Sequence, residues 1–201
     1  MYTLKKSLGQ HFLKDENICR KIVSALEENK FNQLLEVGPG GGALTKYLLK
    51  IPDVDFKAVE LDAEKVVFLE KTYPEIKGKI IHESFLEIEQ PFQGKFTVIG
   101  NFPYNISTQI LFKVLDWRED VDCVIGMFQK EVAERAASKE GNKVYGVLSV
   151  LIQAFYDVEY LFDVHEKCFQ PPPKVKSAVI RLTPVQNKLD MKSEKAFFLL
   201  V

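Results

Sequence analysis

Asn101, Phe102, Pro103 and Tyr104 stand between a run that reads as a strand (Phe96 to Gly100) and one that reads as a helix (Ser107 to Leu115). That spacing puts them at the carboxyl edge of a sheet, where open α/β folds bind their ligands. The chemistry these four residue types suit is alkylation of an exocyclic amino group on a flat base. Such a nitrogen is a poor nucleophile because its lone pair is conjugated into the ring, so hydrogen-bond acceptors must hold it. The Asn101 side-chain oxygen and the Phe102 carbonyl can both accept from an NH2, and Pro103 biases Phe102 toward an extended conformation that turns its carbonyl outward. Tyr104 offers a stacking face. An ordinary strand-to-helix turn punctuated by Asn and Pro accounts for the same four residues, so the motif needs a source of an electrophile beside it.

Gly38-Pro39-Gly40-Gly41-Gly42 meets that need. It follows an apolar strand, Leu34 to Val37, and opens a helical stretch from Ala43 to Leu49. Glycines let backbone approach a ligand closely, and the helix start offers free N–H groups. Glu60 closes a second strand (Phe56 to Val59) at the distance, about 20 residues on, where an acidic side chain accepts from ribose hydroxyls. Gly38-x-Gly40-x-x-Ala43 also fits a nicotinamide-dinucleotide fingerprint, so the turn alone admits either cofactor. The Asn101 to Tyr104 segment favours S-adenosylmethionine, whose sulfonium methyl is the electrophile an amino group requires.

Six segments carry a resemblance: Ser7 to Leu13 (SLGQHFL), Leu35 to Thr45 (LEVGPGGGALT), Val59 to Asp62 (VELD), Asn101 to Ser107 (NFPYNIS), Gln129 to Arg135 (QKEVAER) and Phe169 to Ala178 (FQPPPKVKSA). In this order they resemble the KsgA (RsmA) family of small-subunit ribosomal RNA adenine dimethyltransferases. The resemblance implies transfer of two methyl groups to N6 of each of two adjacent adenines in the 3′-terminal hairpin loop of 16S rRNA, within a pre-30S or 30S particle. It implies a Rossmann-like class I S-adenosylmethionine-dependent methyltransferase fold, no metal and a monomer. It puts Gln10, His11 and Leu13 at the methionine end of the cofactor, Gly38, Gly40, Glu60 and Leu61 around its ribose, and Glu83, Ser84 and Phe85 at its adenine. Asn101 borders the cofactor while serving the substrate together with Phe102, Pro103 and Tyr104. Phe169, before the stiff Pro171-Pro172-Pro173 run, is implied to close on the far face of the target adenine. Two positions depart from the family: His11 stands where Asn is usual, and Ser84 where an Asp usually accepts from the cofactor's adenine amino group.

The elements that must position these residues alternate along the chain. Asp15 can cap a helix running to about Asn29. Strand Gln33 to Val37, helix Ala43 to Leu49, strand Phe56 to Val59, helix Ala63 to Thr72, strand Lys79 to His82, strand Phe96 to Gly100, helix Ser107 to Leu115 and strand Cys123 to Met127 follow. Helices over Gln129 to Ser138 and Val147 to Phe155 come next, then period-two strands at Val158 to Val164 and Ser177 to Leu182. The pattern predicts an α/β domain: a seven-stranded, mostly parallel sheet with helices on both faces, finished by an antiparallel pair. The catalytic domain is expected to span 1–185, with a linker at Gln186 to Lys192 and the opening turns of a helical RNA-binding domain after it.

With 46% hydrophobic residues the chain is globular. It has no apolar run of about 18 residues and no signal peptide pattern, so a cytoplasmic location is expected and a membrane partner is not. Cys19, Cys123 and Cys168, like His11, His82 and His165, lack disulfide or zinc-ligand spacing. The net charge of −1, from 27 basic and 28 acidic residues, is low for an RNA-binding protein. Two explanations fit. Lys5, Lys6, Lys46, Lys50, Lys130, Arg135, Lys139, Lys143, Lys174 and Lys176 gather on one edge, or a basic portion lies beyond Val201. Three other functions stay open at this stage: an antibiotic-resistance methyltransferase acting on large-subunit rRNA, a dinucleotide-dependent oxidoreductase, and a ribosome-assembly checkpoint in which RNA binding outweighs catalysis.

Overall fold

The computed structural model describes residues 11–28, 30–185 and 193–201. In chain order the elements are β1 (Phe12–Leu13), α1 (Glu16–Ser24), β2 (Gln33–Val37), α2 (Thr45–Leu48), β3 (Asp55–Val59), α3 (Ala63–Thr72), β4 (Ile80–Ile81), β5 (Phe96–Asn101), α4 (Ser107–Asp116), β6 (Val121–Gln129), α5 (Lys130–Ala137), α6 (Val147–Gln153), β7 (Tyr156–Val164), β8 (Phe169–Gln170), β9 (Ser177–Pro184) and α7 (Glu194–Leu200). Seven strands form one sheet in the order β4-β3-β2-β5-β6-β9-β7. The first five run parallel, and β9 enters antiparallel between β6 and β7. The sequence pattern foresaw this layout. It missed β1 and β8, which pair antiparallel in a separate two-stranded ribbon, Phe12 opposite Gln170 and Leu13 opposite Phe169.

Local chemistry explains where the elements begin. The Asp15 carboxylate accepts from the Asn17 and Ile18 amides at 2.9 and 3.2 Å, satisfying two donors that a helix start leaves open. The helix ends at Ser24, short of the expected Asn29, and Arg181 of β9 ties this end down: it pairs with Glu28 and, at 3.1 Å, with Glu159, and donates to the Ala25 carbonyl. In α4, Ile110, Leu111, Val114 and Leu115 are buried at the spacing of a helical stripe. Helix α2 covers only Thr45–Leu48, because the chain still turns through the glycine run at residues 40–44. Ser193 caps α7 through its hydroxyl and the Ala196 amide, and the expected linker at 186–192 lies outside the described residues.

The strands bury both faces. Phe96 and Val98 of β5 and Val124 and Phe128 of β6 enter one core with α4 and α6, while Ile99, Ile125 and Met127 enter the other with α1. Gly100 and Gly126 are direct partners across β5 and β6. A Cβ on Gly100 would lie 2.6 Å from the Val37 carbonyl oxygen and 2.7 Å from the Phe102 ring, and one on Gly126 would lie 2.5 Å from that same ring. The glycine pair therefore opens the slot that Phe102 fills, edge-on to Phe128 at 4.9 Å.

Gly100→Ala should destabilise the domain by about 1–3 kcal/mol, the range for overpacking, because the nearest obstacle is backbone and cannot rotate away. Urea unfolding checks this. A loss below about 0.5 kcal/mol, the spread of neutral surface changes, contradicts it.

Candidate active site

One cavity opens at the carboxyl ends of β2, β3 and β5. It is lined by His11, Phe12 and Leu13 of the N-terminal arm, by the glycine turn, by Glu60 and Leu61, by Glu83, Ser84, Phe85 and Leu86, and by Asn101 to Ile106. The turn needs its glycines: Gly38 and Gly40 have φ of +68° and +55°, and a Cβ on Gly40 would press the Phe12 ring at 3.2 Å.

Glu60 holds the turn in place. It is 7% exposed. One carboxylate oxygen accepts from the Gly40 amide at 3.0 Å and the other from the Asp62 amide at 2.9 Å. Burial raises its pKa, and hydrogen bonds from the backbone of Asp62, Gly40 and Leu61 oppose the rise by stabilising the anion. A carboxylate can accept more than these backbone bonds, and Glu60 lines the cavity, so further donors such as two vicinal hydroxyls fit its chemistry. Exposed Leu61 supplies apolar surface beside it. Phe85 is buried edge-on to Trp117 at 5.4 Å, so it offers the cavity the wall of a core residue. Half-buried Ser84 and exposed Glu83 lie at the same end, giving a hydroxyl and a carboxylate where the resemblance leads one to expect a single Asp.

At the other end, the Asn101 Nδ2 donates to the His11 carbonyl at 3.2 Å. With the nitrogen so committed, Oδ1 is the atom that can accept from a ligand. The Phe102 amide donates to the Met127 carbonyl at 3.1 Å and its ring is 1% exposed, so burial of the side chain fixes the backbone whose carbonyl borders the cavity. Pro103 is extended, φ −57° and ψ 128°, and leads into a 3-10 turn, Tyr104–Ile106. The Tyr104 hydroxyl bonds Ser177, and its ring stacks on His11 with centroids 5.5 Å apart.

Phe169 is a correction. It is 0% exposed, packed in the core with Leu13, Ile125 and Val179, and it does not line the cavity. Pairing of β8 with β1 sets it opposite Leu13, and opposed residues of an antiparallel pair share a face, here the buried one. Gln10 lies outside the described residues. The other expected site residues come together in the one cavity. Sequence reading did not single out Phe12, although it lies inside the quoted SLGQHFL segment, nor Glu36, whose place in a buried strand disguised it.

A family profile described as ribosomal RNA adenine dimethylase matches residues 1–201. The chain belongs to this family. Among curated proteins it is 54% identical over 200 residues to ribosomal RNA small subunit methyltransferase A of Cytophaga hutchinsonii, covering 98% of this chain and 78% of that protein. The protein of the same name from Parabacteroides distasonis is 54% identical over 96% of this chain and 73% of its own length. Among solved structures, a dimethyladenosine transferase from Plasmodium falciparum superposes with a TM-score of 0.77 at 28% identity, over 94% of this chain and 66% of that one. The 23S rRNA methyltransferase ErmE does so with 0.75 at 25% identity, over 90% and 72%. The ribosomal RNA adenine dimethylases are S-adenosylmethionine-dependent enzymes of the class I methyltransferase fold, and the sheet order seen here is that fold. The cavity fits the cofactor: a glycine turn with positive φ, a nearly buried carboxylate among its lining residues, and apolar walls. No helix among the described residues is long and apolar enough to cross a membrane.

Glu36 gives this dimethylase cavity a titratable floor. It is 2% exposed, and the Thr45 hydroxyl donates to it at 2.7 Å. Burial pushes its carboxyl from 4.5 up to about 8, with Glu60 adding repulsion and the Thr45 bonds opposing. The folded state thus keeps a proton that the unfolded chain releases at lower pH, and stability falls as pH rises from 4.5 toward about 8. Glu36→Gln keeps the acceptor for Thr45 and removes the titration. Relative to the parent, its melting temperature should gain at least about 3 °C between pH 5 and pH 8, the shift about 1 kcal/mol gives a domain of this size. Parallel pH profiles would contradict the buried proton.

Proposed function

We propose that this chain transfers methyl groups from S-adenosylmethionine to N6 of two adjacent adenines in the 3′-terminal hairpin loop of 16S rRNA, acting as a monomer on a pre-30S or 30S particle. The observation that carries the reading is Asn101: its amide nitrogen is tied to the His11 carbonyl, so its oxygen becomes an acceptor within the cavity that also holds the glycine turn and Glu60. Identity of 54% to proteins named for the small subunit, against 25% to a 23S rRNA methyltransferase, supports the choice of subunit.

When bound, S-adenosylmethionine supplies an electrophilic methyl carried on a sulfonium. The chain's own residues do the rest by placement. The target adenine leaves its stack, at a cost of a few kcal/mol that a hairpin loop lowers relative to a duplex, and lies against Tyr104, where stacking on an aromatic is worth about 1–3 kcal/mol. Asn101 Oδ1 and the Phe102 carbonyl accept the two N6 hydrogens and direct the nitrogen's electrons toward the methyl. As the bond forms, a proton leaves N6 for solvent, and after the first transfer one N6 hydrogen remains to be held. Gly38, Gly40, Glu60 and Leu61 grip the ribose side of the cofactor, Glu83, Ser84 and Phe85 its adenine, and His11 and Leu13 its methionine end.

Glu60→Ala removes two charge-assisted hydrogen bonds of about 1.5–3 kcal/mol each. S-adenosylmethionine affinity by calorimetry should fall at least tenfold. Unchanged affinity would overturn the ribose assignment, and tight binding of NAD would overturn the methyltransferase reading for this pocket.

Asn101→Ala should lower methylation of 30S particles from a strain lacking this modification by about a hundredfold or more, as loss of a transition-state hydrogen-bond partner does, with cofactor affinity within about twofold. Mass spectrometry of the rRNA reads the product. Turnover near the parent's would remove Asn101 from the mechanism.

A further inference from the structure

Tyr104 is fixed from two distant parts of the chain. Its hydroxyl and that of Ser177 are hydrogen-bonded. Ser177 is 0% exposed and opens β9, where it is held between Gln129 of β6 and Val164 of β7, so it is part of the sheet itself. The ring face is met by His11, centroids 5.5 Å apart and planes 29° from parallel. His11 is anchored in turn: its Nδ1 lies 2.9 Å from the Pro171 carbonyl, and its own carbonyl receives the Asn101 amide. The element that carries Tyr104 is only a three-residue 3-10 turn, which by itself would leave the side chain's tilt free.

We propose that Ser177 and His11 are positioning residues for methyl transfer: together they lock the Tyr104 ring in one orientation, so that it meets the substrate base as a preset stacking platform. The inference rests on the adenine-methylation reading above. Two constraints of different kinds act on one ring. The hydroxyl bond fixes its rotation and reach, and the imidazole stack fixes its tilt. Without them, each base would have to order the ring as it binds, and the amino group would meet Asn101 in a spread of geometries. Misplacement of this kind lowers the rate of a reaction that depends on placement alone. His11 thereby acquires a substrate-side role in addition to its place beside the cofactor, and the bond from Asn101 to its backbone links the acceptor and the platform through one residue.

A half-buried phenol takes a hydrogen-bond partner in any protein, so the test separates positioning from stability. Steady-state methylation of unmodified 30S particles, cofactor affinity and melting temperature are measured for the parent, Ser177→Ala, Tyr104→Phe, their double variant, His11→Ala and His11→Phe. Ser177→Ala and Tyr104→Phe each remove one end of the same bond. Each should lower kcat by about three- to tenfold, the range for one neutral hydrogen bond, with cofactor affinity within about twofold. The double variant should be no slower than the slower single, as expected for partners in one interaction. His11→Ala should lower kcat by a similar factor, and His11→Phe, which keeps the stack and loses the Pro171 contact, should restore most of it. Unchanged kcat with a lowered melting temperature would overturn the proposal, as would additive effects of Ser177→Ala and Tyr104→Phe or failure of His11→Phe to outperform His11→Ala. A parent that leaves the adenines unmethylated would overturn the function proposed above and this inference with it. An active parent with indifferent variants would overturn this inference alone.

Discussion

Burial of the Phe102 ring is the constraint on which the rest of the site depends. A backbone carbonyl is a useful acceptor only if it cannot drift, and a loop at a sheet edge has little to hold it. Here hydrophobic burial supplies the fixing force. The Phe102 ring enters a slot that exists because Gly100 and Gly126 face each other across β5 and β6, and it is fully enclosed there against Phe128. Burying such a side chain is worth about 1.5–3 kcal/mol, and the energy is delivered to a residue in the middle of the Asn101 to Ile106 segment that lines the cavity. Its amide is tied to the Met127 carbonyl, and the residue itself lines the cavity. The core thereby holds a polar segment in place.

A second device acts at the cofactor end. Two acidic side chains, Glu36 and Glu60, are nearly buried at the ends of neighbouring strands, an arrangement that repulsion alone would disfavour. Their environments separate them. Burial raises both, but Glu60 receives backbone amides that oppose the rise, whereas Glu36 has only Thr45 to oppose it and is pushed up to about 8. Glu60 thus secures the glycine turn through Gly40, while its neighbour binds the start of α2 through Thr45. Unequal hydrogen bonding of this kind, which favours ionisation of one acid over the other, is how adjacent carboxyls coexist in a dry site.

The order of the sheet, the glycine turn, Glu60 and the Asn101 motif were legible in the sequence because each rests on local information: periodicity, glycine spacing, a residue closing a strand. What was not legible depends on long-range pairing. The β1 and β8 ribbon joins residues about 157 positions apart in two-residue strands, too short to show alternation, and that pairing is what turns Phe169 into the core. The same arm brings His11 against Tyr104, a contact between residues 93 positions apart with no sequence signal beyond membership of two separate motifs. Glu36 was read as one letter of a hydrophobic strand. Its raised pKa follows from burial, a fact of three-dimensional surroundings. The early end of α1 likewise reflects Arg181, which arrives from β9.

The near-neutral charge also becomes intelligible residue by residue. Of the cations expected to form a basic edge, Lys46 pairs with Glu16, Lys130 with Asp163, and Arg135 with Glu131 across one helical turn. Exposed pairs of this type contribute about 0–1 kcal/mol to stability. Their larger effect is to cancel charge that would otherwise reach a phosphate. Lys139 and Lys143 beside α5, and Lys174 and Lys176 before β9, are exposed. A surface of this design attracts an RNA backbone at a few points instead of across a broad field, and each phosphate neutralised adds only about one unit to the salt dependence of binding. On the function proposed above, discrimination then falls to the base that enters the cavity and to Tyr104, whose hydroxyl bond and ring stack constrain it.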